Sequence, residues 1–96
     1  MRIVKIPSAT ASQQRGCESA PQELCRGMLC DEADVSGLDR ESGARAIYSK
    51  ACEFILEKPL FVGGDHSITY STFMAFSEEF AAPAMISFDA HANALP

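Results

Sequence analysis

The sequence predicts an α/β fold in which helices cover both faces of a parallel sheet. Three observations predict it. Short apolar strands alternate with helical stretches in the order β, α, α, β, α, β, and the last three elements make a βαβ unit. The later strands are apolar on both faces, as expected when helices lie above and below the sheet. Hydrophobic residues are 47% and charged residues 22% of 96, the balance of one small globular domain or part of one, which excludes wholesale disorder.

Each element has its own signal. Arg2 to Ile6 (Arg-Ile-Val-Lys-Ile) alternates apolar and basic residues, and Pro7 stops it as a strand. Residues 8–16 are polar with little to bury and read as a loop. Pro21 suits the first turn of a helix running to about Met28, with Glu23 favourably placed for the helix dipole. Asp31 to Asp34 reads as an acidic, solvated loop or helix entrance; three carboxylates without glycine or amide ligands specify no cation geometry. From Arg40 to Leu56, Ala44, Ile47, Tyr48, Ala51, Cys52 and Ile55 recur at helical spacing, so the stretch is amphipathic and Cys52 is expected in the core. Pro59 ends it. Leu60 to Val62 is a short apolar strand cut off by Gly63-Gly64. Helical spacing returns over Ile68 to Phe80, where the phenylalanines read as core and Glu78-Glu79 as a solvated end. Pro83 closes that helix, and Ala84 to Phe88 reads as the last strand.

Charge and cysteine content narrow the function classes. Thirteen acids against eight bases give a net charge of −5, which argues against nucleic acid or an anionic membrane as partner. No apolar run approaches the length of a signal peptide or a membrane span. Cys17, Cys25, Cys30 and Cys52 lack the Cys-x-x-Cys spacing of a zinc knuckle or redox dithiol and read as reduced thiols in a cytoplasmic protein.

Two segments carry the chemistry. Gly63-Gly64-Asp65-His66-Ser67 follows one strand, and Asp89-Ala90-His91-Ala92-Asn93 follows the next. In an open parallel sheet the strand carboxyl ends share one edge, where ligands bind. Gly63 and Gly64 permit a sharp turn and close backbone approach, while Asp65 and Ser67 can cap the following helix. Asp89, His91 and Asn93 share a face if the strand geometry persists. Alone, the first segment reads as a turn with a helix cap, and His91 as an ordinary histidine. Together they gather a carboxylate and two imidazoles, which suit a divalent metal of borderline hardness such as manganese.

Gly-Gly-Asp-His-Ser at 63–67 followed by Ser-Phe-Asp-Ala-His at 87–91 resembles the ureohydrolase family of arginases and agmatinases. The longer run Gly63 to Thr69 looks slightly more like agmatinases. Gly16 to Leu24 resembles the family's first loop and helix more loosely, since Cys25 stands before Arg26 where the family usually has arginine directly. The resemblance implies a three-layer αβα sandwich and hydrolysis of a small guanidino substrate, with release of urea, by two manganese ions sharing a hydroxide. It implies His66 as a ligand of the first metal, His91 of the second, and Asp89 as the bridging carboxylate.

Two departures qualify that expectation. The family has aspartate where Asn93 stands, and an amide brings no charge to offset two dications. Its further Asp-x-Asp segment and substrate loops lie downstream of anything in residues 1–96. The expectation is therefore the N-terminal part of a truncated ureohydrolase-like domain, with an incomplete metal shell and no activity of its own. A different reading makes it a non-catalytic interaction or assembly piece, and a third a plain βαβ binding module. Open sheet edges predict a homo-oligomer or a self-associating chain.

Overall fold

A computed structural model describes residues 2–8 and 16–88. Strand β1 (Ile3–Ile6) is the centre of a three-stranded sheet of order β2-β1-β3, flanked by β2 (Asp31–Glu32) and β3 (Leu60–Gly63). Both pairings are parallel, with Val4 opposite Asp31 on one side and Ile3 to Ile6 opposite Leu60 to Gly63 on the other. The helices are α1 (Ala20–Leu24), α2 (Arg40–Phe54) and α3 (Thr69–Glu79).

The alternation of β1 places helices on both sides of the sheet. Val4 and Ile6, both fully buried, pack in one cluster with Ala33 and Ile47 of α2, joined by Val35, Phe54, Phe61 and Ile68. Lys5 points the other way, as strand geometry requires, and its Nζ donates to Gln22 Oε1 of α1 at 3.0 Å. A second cluster of Ala51, Ile55 and Ala75 joins α2 to α3, with Phe76 and Phe80 against it. The fold is thus α/β, with α1 on one face of the parallel sheet and α2 and α3 on the other.

Local chemistry sets the ends of α2. Asp39 caps its start, accepting from Ser42 N at 2.7 Å. Its last turn tightens into a 3-10 turn at Ile55–Glu57, and Lys58 adopts φ 51° before Pro59, which cannot continue a helix. Beneath the amino end of the sheet, Arg2 bonds Asp31 Oδ2 at 2.8 Å and Glu57 Oε1 at 3.2 Å, and lies 4.6 Å from the Phe54 ring centroid. It ties β1 to the start of β2 and the end of α2.

Four expectations need correction. Asp31-Glu32 is a short strand rather than a solvated loop, because its backbone extends the ladder of β1. Cys52 is exposed, since the buried line of the helix runs through Gly43, Ile47, Ala51 and Ile55, one flank away. The first helix spans only Ala20–Leu24, after a 3-10 turn at Cys17–Ser19, and it gives way to a turn at residues 25–27 in which Gly27 has φ 79°. Residues 84–88 form no strand. Ile86 and Phe88 are 82% and 97% exposed; an apolar strand needs both a ladder and cover on its faces to offset its ordering entropy, and the described residues supply neither.

Candidate metal centre at the carboxyl edge of the sheet

The carboxyl ends of β1 and β3 meet at one edge, because Ile6 and Gly63 are paired. Beyond Ile6 the chain turns, with Ser8 N bonding Ile6 O at 2.8 Å, and the buried Ser8 hydroxyl meets Ser67 Oγ at 2.7 Å. Beyond Gly63, Gly64 is wedged against other backbone. A Cβ there would lie 2.4 Å from Ser8 O and 2.6 Å from Cys17 O. A Cβ at Gly63 would instead lie 2.4 Å from Ile68 Cδ1, a side-chain tip. The two glycines therefore serve different ends. Gly63 accommodates the Ile68 side chain, and Gly64 lets the β3 turn nest against the loop after β1.

Asp65 then caps the 3-10 turn His66–Ile68 that leads into α3, accepting from Ser67 N at 2.9 Å. The expected capping role is split: Asp65 takes it, whereas the Ser67 hydroxyl ties the turn to β1. His66 stands exposed on that turn, with Nδ1 3.2 Å from Thr69 Oγ1. When Nδ1 donates that bond, Nε2 carries the lone pair that a metal requires. A shallow pocket of about 250 Å³ opens beside it, lined by Arg40, Ala44, Ile47, His66, Ser67 and Tyr70.

Of the expected ligands, His66 lies at this edge, whereas Asp89, His91 and Asn93 fall outside the described residues. Among the described residues, no three His, Cys, Asp or Glu side chains gather closely enough to hold a metal ion. In kind, an imidazole on a capped turn is a capable metal ligand; in number, it is one corner of a coordination shell. Sequence reasoning passed over Ser8 and the Cys17 carbonyl, though the rule that strand carboxyl ends share an edge points to residues just after Ile6.

This architecture, a parallel sheet with a glycine-built turn and a histidine at its carboxyl edge, is that of an open α/β fold. Residues 1–95 match the arginase family, and the chain belongs to that family. The crystal structure of arginase from Bacillus subtilis is similar with a TM-score of 0.62 at 22% identity, over 82% of this chain and 34% of that one. The chain thus spans about a third of the arginase structure it matches. No curated protein matches it.

Proposed function

We propose that residues 1–96 carry the amino-terminal part of a ureohydrolase domain that hydrolyses a small guanidino compound, of the agmatine or arginine type, at a binuclear manganese centre. The observation that supports this best is the capped turn bearing His66, held at the sheet edge by Gly64, in a chain of the arginase family. His66 is assigned to the first metal, His91 to the second and Asp89 to the bridge between them, with Asn93 standing where the family has aspartate. What two such ions supply is a water acidified enough to act as nucleophile near neutral pH, and positive charge beside the tetrahedral carbon. The chain's own residues do the positioning. Asp65 and Gly64 fix the turn, Thr69 orients the His66 ring, and the Ser8–Ser67 bond holds the turn to β1.

The remaining ligands and the substrate loops of the family are not in residues 1–96, so this stretch by itself is expected to bind manganese weakly and to release no urea. The test is manganese titration followed by paramagnetic broadening of the two histidine ring signals. Broadening of both His66 and His91, with that of His91 reduced in His66→Ala and that of His66 reduced in His91→Ala, supports the assignment; broadening of neither refutes it. Two tightly held ions per monomeric chain would refute the incomplete shell. So would manganese-dependent urea release that disappears in His91→Ala. Asn93→Asp is expected to restore no turnover, because it repairs one ligand of several.

A further inference from the structure

The pocket beside His66 carries polar groups that a metal ligand does not need. It lies between the start of α2 and the start of α3 and holds about 250 Å³. Arg40, the first residue of α2, lines one side, and Tyr70 and Ser71 of α3 line the other. Ala44 and Ile47 add an apolar wall. Two of these polar groups have no protein partner among the described residues. Arg2, Arg26 and Arg45 each pair with a carboxylate, at 2.8, 2.6 and 2.7 Å, whereas Arg40 pairs with none. The acids next to the lining residues in sequence are bonded elsewhere: Asp39 accepts from Ser42 N, Glu41 holds Arg45, and Asp65 accepts from Ser67 N. Ser71 is the second group. It is 3% exposed, and unlike the buried Ser8, whose hydroxyl meets Ser67 Oγ, it has no hydrogen-bond partner for its side chain. No side-chain nitrogen or oxygen among the described residues is sealed from solvent without a partner, so the Ser71 hydroxyl opens on the pocket it lines. A buried hydroxyl of this kind calls for an acceptor or donor from outside the fold.

We propose that this pocket binds the carboxylate of a small organic acid, with Arg40 as its charged partner and the Ser71 and Tyr70 hydroxyls as donors. A guanidinium presents parallel N–H groups that match the two oxygens of a carboxylate. The amino ends of two helices of 15 and 11 residues at the same pocket add positive potential. A single unpaired cation suits a monoanion. Phosphate would bring up to two negative charges beside Asp39, Glu41 and Asp65, in a chain whose net charge is already −5. Ala44 and Ile47 leave an apolar surface for a short alkyl group on the acid. This site needs no metal at His66 and stands whether or not that histidine is a ligand.

The test is saturation-transfer NMR of propionate with the 96-residue chain at low micromolar concentration, in a chelating buffer so that no metal contributes. Transfer to the propionate methyl group should saturate in the millimolar range, and propionamide, of the same shape without the charge, should show none. Arg40→Gln should weaken binding about tenfold or more, the loss of a charge-assisted bond. Arg45→Gln, which removes a paired arginine from the same helix, should leave it unchanged. Ser71→Ala should weaken binding several-fold and leave the urea unfolding midpoint unchanged or raised, because a hydroxyl without a protein partner contributes nothing to the fold. That variant keeps the test decisive if Arg40→Gln disturbs the start of α2. Absence of saturable transfer in the wild type would overturn the proposal, as would equal transfer to propionate and propionamide. So would equal losses in the two arginine variants, full binding in Ser71→Ala, or phosphate displacing propionate at lower concentration than acetate does.

Discussion

Replacing Gly64 by alanine is the sharpest probe of how the site is held. The added methyl would sit 2.4 Å from Ser8 O, 2.6 Å from Cys17 O and 2.9 Å from Cys17 C. All three neighbours are backbone, so no side-chain rotamer change relieves the contact; the β3 turn or the loop after β1 must move. Overpacking of this kind costs about 1–3 kcal/mol, and more where the backbone must shift. Gly43 in α2 is the matched reference, because a Cβ there meets nothing within 4 Å. Alanine in that helical position should stabilise by up to about 1 kcal/mol. The two variants then differ by roughly 1–4 kcal/mol, which at a urea sensitivity of about 1 kcal/mol per molar separates their unfolding midpoints by about 1 M or more. Gly63→Ala should fall between them, since the atom it meets is the mobile tip of Ile68. The assay is urea unfolding followed by circular dichroism, with the His66 ring signals as a local reporter. Should Gly64→Ala prove as stable as Gly43→Ala, the close approach of the two loops is wrong, and with it the account of how His66 is positioned.

Three further outcomes are expected. Ser67→Ala leaves the buried Ser8 hydroxyl without its 2.7 Å partner and should cost about 1–3 kcal/mol; the Ser8→Ala, Ser67→Ala double variant should cost less than the sum of the two, as a double-mutant cycle in urea would measure. The Asp39 carboxyl lies below its ordinary value of 3.8 because it accepts bonds from the Ser42 backbone and side chain. A carboxylate with a lowered folded-state value stabilises above its unfolded value and loses that contribution as pH falls through the folded one. Thermal melts of wild type and Asp39→Ala should therefore differ by a constant amount near neutral pH and converge below about pH 4. Finally, β3 lies at the edge of the sheet with Leu60 half exposed, and Ile86 and Phe88 are uncovered as well; sedimentation should show the 96-residue chain associating at tens of micromolar, and a monomer that unfolds cooperatively would contradict this.

The elements legible in the sequence are those whose side chains follow one period along their length. β1 shows alternation, and α2 and α3 show three-and-four spacing. β3 is an apolar run ended by two glycines. Strand β2 has no such signature. It has two acidic residues, and only the presence of β1 beside it makes it a strand, which is a tertiary fact. The apolar stripe from Ala44 to Ile55 is wider than the buried line, because helical spacing alone does not say which flank faces the sheet; the buried line through Ile47 and Ala51 leaves Cys52 in solvent. At the site, the turn residues were legible from their order, whereas Ser8 was not. Its role comes from the parallel register that sets Ile6 beside Gly63, a pairing across more than fifty residues that no local pattern encodes.

The division of labour around His66 agrees with the ligand role proposed for it. The turn that carries it is shaped by Gly64 against the Ser8 and Cys17 carbonyls, by the Asp65 cap and by the Ser8–Ser67 bond. The apolar clusters that hold the fold consist of other residues, with Val4, Ile6 and Ile47 at the centre of one and Ala51, Ile55 and Ala75 forming the other. The imidazole itself is exposed and belongs to neither. A side chain that the fold places carefully but does not need for packing is one whose chemistry is directed outward. Arg2, equally well bonded at the opposite end of the sheet, shows the contrast. Its contacts join β1, β2 and the end of α2 to one another, so its interactions are spent on the fold. The difference implies that His66→Ala should leave the unfolding midpoint within about 0.5 kcal/mol of wild type while removing whatever the carboxyl edge binds.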